Sequence, residues 1–190
     1  LQAGLYALQG DEVRAESTFQ RALAASSGDT QAVVLEKLGD FYVSLRRHRE
    51  ALTCYLQAAQ LNPARGTLAR RRYDELMRAA DNTVCDELTA SWAEFAAFVR
   101  DGQGERELLF ARMATARAHL DEAMRFADSI IAPDEVRAIH ARRQFAYSVA
   151  YEATVTALSY IDLGGTEMRE RAVERYQQAL AEFARLREGQ

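Results

Sequence analysis

The sequence predicts an all-α fold. Three observations carry that prediction: 190 residues hold only 2 prolines and 10 glycines, they hold 35 alanines, and apolar side chains recur at three-and-four spacing through most of the chain. A β-sandwich or a doubly wound sheet would need more turn residues and alternating strands, and neither is present. With 48% hydrophobic and 27% charged residues the chain suits one ordinary globular domain or two small ones, not disorder or a fibre. Its formal charge of −4 argues against nucleic acid or an anionic membrane as the main partner.

Breakers and caps divide the chain into about nine helices. The first covers 1–9 and turns at Gly10; the second, 11–25, carries Val13, Phe19, Ala22 and Leu23. A third runs from Thr30 to Leu45 with Val34, Leu35, Leu38, Tyr42 and Leu45 on one face, and the turn at Arg46 to His48 leads to a fourth. Asn62-Pro63 stops that helix after Leu61, because a residue before proline is pushed out of the α region. A fifth helix is expected at 67–81. Thr83, with Asp86 three residues on, reads as the cap of a sixth that carries Val84, Leu88, Trp92, Phe95 and Val99 inward. Asp-Gly-Gln-Gly at 101–104 reads as a loop. Beyond it Leu109, Met113, Ala116, Leu120, Met124, Ala127 and Ile131 form a stripe along a helix about 42 Å long. Pro133 is expected in the first turn of the next helix, which ends at Leu163 before Gly164-Gly165. Thr166 would cap the last helix, with Met168, Ala172, Tyr176, Leu180 and Phe183 inward.

Two segments repeat. Setting residues 10–23 against 46–59 superposes Ala15 on Ala51, Phe19 on Tyr55 and Ala22 on Ala58, a period of 36 residues. Small residues let antiparallel helices approach, and the aromatic side chain fills the gap on the same face. Residues 32–63 go further, with Leu35, Leu38-Gly39, Tyr42, Ala51, Tyr55, Ala58 and Pro63 in order. In these residues the chain resembles the tetratricopeptide repeat (TPR) family. The preceding repeat keeps Tyr6, Gly10, Ala15, Phe19, Ala22 and Leu23 but has Ala3 at the family's glycine and Ser27 at its proline. Tyr160, Ala172, Tyr176, Ala179 and Leu180 follow the pattern again near the C-terminus.

The resemblance implies a solenoid of helical hairpins wound as a right-handed superhelix. Residues 1–65 would form two hairpins, and 66–190 a connecting helix and long antiparallel helices. The central stretch lacks the repeat signature, so either the solenoid continues with elongated hairpins or 84–187 forms a separate four-helix bundle. Family members bind peptides or partner helices in a concave groove lined by the first helix of each hairpin. Carried over, that groove is Val33, Glu36, Lys37, Asp40, Val43 and Ser44, with Gly4, Ala7 and Leu8. Members that bind chaperone C-termini carry asparagines where this chain has Gly4 and Asp40, and Asp40 would repel a carboxylate.

Residues for chemistry are scarce. His48, His119 and His140 lie in different elements, and only His119 has a carboxylate at helical spacing, Glu122; no metal or other cofactor is expected. Cys85 sits beside Asp86 and Glu87, which oppose a lowered thiol pKa, and Cys54 reads as a packing residue. Two cysteines are too few for a disulfide framework, so the chain is expected to be cytoplasmic with free thiols. Gly102 and Gly104 lack the strand and lysine of a phosphate loop. Arg65, Arg70, Arg71 and Arg72 form a candidate basic patch, balanced by Asp74, Glu75 and Asp81. No segment is apolar enough to span a membrane. A helical pattern already running at Leu1 predicts a piece of something longer.

The expected function is that of a non-enzymatic scaffold or adaptor that binds a protein or peptide through the TPR-like groove. Alternatives are a regulatory bundle binding a small ligand in the C-terminal half, or a non-catalytic module of a larger protein. An uncovered repeat end leaves homo-oligomers open.

Overall fold

The computed structural model describes residues 2–101 and 105–188. Most of the loop read at 101–104, and Leu1, lie outside the described residues. Within them the chain is all-helical: α1 (Gln2–Leu8), α2 (Glu12–Ala24), α3 (Gly28–Ser44), α4 (His48–Leu61), α5 (Gly66–Asp101), α6 (Arg106–Ser129), α7 (Arg137–Leu163) and α8 (Thr166–Glu188). Short 3-10 turns at Pro63–Arg65 and Asp134–Val136 precede α5 and α7.

Five expectations are corrected. The helices expected at 67–81 and from 83 are one 36-residue helix, α5, about 54 Å long. Thr83 does not cap it: its hydroxyl donates to the Ala79 carbonyl at 3.1 Å, a bond a threonine makes in mid-helix. Pro133 lies before the 3-10 turn, so α7 starts at Arg137. The stripe on α6 ends at Ala127; the chain leaves the helix after Ser129, so Ile130 is buried and Ile131 exposed. Thr166 begins α8 instead of standing outside it.

Two compact units divide the chain. The first comprises the residues up to Leu76 with Ile130–Asp134; the second comprises Met77–Ser129 and the residues from Glu135 on.

In the first unit α1 packs on α2, α2 on α3, and α3 on α4. The two hairpin turns are built alike. Gly10 N–H donates to the Ala7 carbonyl (3.1 Å) and Asp11 N–H to that of Tyr6 (3.0 Å); Arg46 N–H donates to Val43 (3.0 Å) and Arg47 N–H to Tyr42 (2.9 Å). This is the paired-bond helix ending in which the residue after the cap takes left-handed backbone angles. Inside the second hairpin Gly39 admits Tyr55: a β-carbon at Gly39 would stand 2.8 Å from Cε1 of that buried ring. The Tyr55 hydroxyl donates to Asp40 at 2.8 Å. Ala15, Ala51 and Ala58 are completely buried, as contact points between helices require. The hairpins join through the Tyr42 hydroxyl, which donates to Glu16 at 2.6 Å, and through the Phe19 and Phe41 rings, 5.7 Å apart.

In the second unit, residues of α5, α6, α7 and α8 share one core. Glu87 pairs with Arg112 and His119, and Glu94 with Arg112, so α5 and α6 run antiparallel. Gln144 bonds Asp128, while Arg106 donates to the Ile161 and Asp162 carbonyls at the far end, so α6 and α7 are antiparallel too. Gly164 and Gly165, at φ of 74° and 98°, then reverse the chain into α8. The helices thus run up, down, up and down around Phe95, Tyr160, Tyr176 and Trp92, whose rings touch at 5.3–5.9 Å.

Candidate functional site

The residues expected to line a groove lie on α1 and α3. Gly4 and Leu8 are exposed on α1, Leu8 by 87%, and Ala7 is half-buried. On α3, Val33, Lys37 and Ser44 are exposed and Glu36, Asp40 and Val43 half-buried, along one face. The chain satisfies much of this face itself. Arg65 pairs with Glu36 and, at 3.3 Å, with Asp29; Arg72 pairs with Asp40 at 3.5 Å, and Lys37 reaches the same carboxylate at 3.5 Å.

Those contacts also account for the candidate basic patch. Arg65 and Arg72 are held as above, Arg70 pairs with Asp74 at 2.9 Å, and Arg71 with Glu75 at 3.2 Å. Each guanidinium of the cluster therefore has a carboxylate beside it.

A different surface of the first unit is concave and less satisfied. Between α2 and α4, over α3, an open cleft of about 430 Å³ is lined by Gln20, Leu23, Leu35, Leu38, Tyr42, Arg49, Glu50, Thr53, Cys54 and Gln57. A second cleft of about 380 Å³ shares Leu23, Leu35 and Gln57 and adds Gln31, Gln60 and Leu61. Together they form one groove running along α4 from Arg49 to Leu61. Burial pushes the Cys54 thiol up to about 11, which leaves it a poor nucleophile in the groove wall. The Tyr42 phenol is raised by burial and by its bond to Glu16, and the same bond lowers the Glu16 carboxyl.

In the second unit sequence reading missed a buried charge pair. Asp81, read above as one of the acids balancing the basic patch, accepts from Arg143 Nε at 2.8 and 3.0 Å and from the Tyr147 hydroxyl at 2.8 Å. Their side chains are 12% and 4% exposed. His140, one turn before Arg143, is also buried; desolvation, and then the Arg143 guanidinium, hold its pKa below the ordinary value. Glu87 is lowered although burial opposes this, because His119 and Arg112 both bond it. His119 thus pairs with Glu87 at 3.1 Å, and Glu122 lies beside it only as another wall of a shallow cleft with Phe126 and Ala123.

Among the described residues no three His, Cys, Asp or Glu side chains are placed to hold a metal ion, and no helix is long and apolar enough to cross a membrane. Comparison with protein-family models, curated proteins and solved structures returns no match.

Proposed function

We propose that the chain is a protein-interaction module of the tetratricopeptide type, a scaffold or adaptor that holds a partner polypeptide on its first unit. The observation that carries this reading is the equivalence of the two hairpin turns. Gly10 and Arg46 stand 36 residues apart with the same pair of backbone bonds, and the matched Ala15 and Ala51 are both fully buried. Stacked hairpins of this kind bury their small residues against one another and leave elongated faces for a partner. The first unit offers such a face in the α2/α4 groove, where apolar floor and polar rim are combined as in peptide-binding sites.

The test is crosslinking of the full chain in an extract of its source cells, with the crosslinked positions read by mass spectrometry. A partner crosslinked through residues of α2, α3 or α4 is the expected result. Partner crosslinks that all avoid the first unit, or a chain recovered without any partner, would overturn the reading.

A further inference from the structure

Two faces of the first unit differ in what they leave unpaired. On the α3 face, Glu36 and Asp40 are taken up by Arg65, Arg72 and Lys37, and Tyr55 also bonds Asp40. In the α2/α4 groove the polar groups are of another kind. Gln20, Gln57 and Gln60 are exposed and Gln31 is half-buried, and none of the four side-chain amides has a hydrogen-bond partner among the described residues. Arg49 at one end makes no ion pair among those residues, while the neighbouring Glu50 is held by Arg47 at 2.9 Å. Leu23 and Leu35 form the floor common to both parts of the groove.

A primary amide offers donors and an acceptor together, which matches a peptide backbone whose N–H and C=O are both open. A helix has used those groups internally, whereas an extended segment has not. The rise along α4 from Arg49 to Leu61 is about 18 Å, the length of five or six extended residues at about 3.3 Å each. The Arg49 guanidinium adds a preference for negative charge at one end.

We infer that this groove binds an extended segment of five or six residues from a partner polypeptide, reading its backbone through the four glutamines and an acidic side chain through Arg49. The inference rests on the interaction-module reading and names its surface and ligand class. An apolar side chain of the segment seats on Leu23 and Leu35, and alternate side chains point to solvent.

The experiment uses the full chain and a displayed library of random hexapeptides, followed by fluorescence anisotropy on labelled synthetic copies of the selected sequences and by amide chemical-shift mapping. Selected peptides are expected to share an acidic residue at one fixed position. Arg49→Glu should weaken binding at least tenfold, and Gln57→Leu combined with Gln20→Leu should do so by a similar factor; both sites are on the surface, and circular dichroism verifies folding. N-methylation of a central peptide amide should weaken binding comparably, and shift changes should centre on Leu23, Gln31, Leu35 and Gln57. Binding that survives N-methylation, or a library that yields no binder, would overturn the inference. Shift changes centred on Val33, Lys37 and Ser44 would overturn it too while leaving the interaction-module reading intact; that reading fails only on the crosslinking outcome.

Discussion

Arg46 occupies the left-handed turn position that Gly10 occupies one repeat earlier, at φ of 58° against 74°. Each sits between two helices of a hairpin, and the backbone bonds around them match. A side chain in this conformation costs about 1–2 kcal/mol, whereas glycine takes it freely at a smaller entropic cost in the unfolded chain. Arg46→Gly is therefore expected to stabilise the protein by about 0.5–1 kcal/mol, measured as a raised urea midpoint with unchanged slope. A lowered midpoint would mean that the arginine side chain does more in the turn than the geometry indicates.

Gly39→Ala should act in the opposite direction. Alanine has the better helix propensity by about 1 kcal/mol, yet its methyl group would meet the Tyr55 ring, which is buried and tied to Asp40. Overpacking of this kind costs about 1–3 kcal/mol and should outweigh the propensity gain. Adding Tyr55→Leu makes room, so Gly39→Ala should be better tolerated in the double variant than alone. A double-mutant cycle without coupling would count against the close approach.

The Asp81–Arg143 pair predicts an asymmetry between single and double variants. Asp81→Leu takes the carboxylate away from a buried guanidinium and from the Tyr147 hydroxyl, at a cost of about 3–5 kcal/mol. Replacing both charges, Asp81→Leu with Arg143→Met, should recover most of that loss, because an apolar pair needs no desolvation of charge. Urea unfolding of the four proteins gives the coupling directly, and additive losses would contradict the shared burial.

Acid sensitivity follows from one buried and one half-buried imidazole. Burial, and then Arg143, lower the pKa of His140; burial, and then Arg46, lower that of His48. The unfolded chain thus takes up protons near pH 6.5 that the folded chain refuses. Stability is full above that pH and declines as pH falls through it, with Asp81 and Asp128 near His140 moderating the loss. Thermal melts between pH 8 and pH 5 should fall less steeply for His140→Gln than for the parent. Equal slopes would place the pH dependence elsewhere. A second decline is expected below the usual carboxylate range, where Glu16, Glu50 and Glu87, all lowered in the fold, become protonated.

Local pattern made the helices legible and tertiary pairing did not. Leu35, Leu38, Tyr42, Ala51, Tyr55 and Ala58 were readable as core because their spacing declares one helix face, and all are buried. Asp81-Asn82-Thr83 reads as a boundary because the same residue types cap helices and end them. Inside α5 Asp81 is instead drawn inward by an arginine 62 positions later, a partner that periodicity cannot reveal. The groove beside α4 was hidden for a related reason. Gln57 and Gln60 look like ordinary solvated positions until α2 stands opposite them, and only then do they rim a concavity. The α3 face looked available from its charges, and the arginines that neutralise those charges come from the turn after α4 and from the start of α5.

Trp92 is the chain's single tryptophan, and it lies in the second unit with its ring 5.3 Å from that of Tyr176. The protein therefore carries a built-in indole reporter for one unit only. Indole emission tracks the loosening of the α5 to α8 core, whereas far-ultraviolet dichroism sums every helix. Any gap between the two melting curves measures how far the hairpins come apart independently of that core.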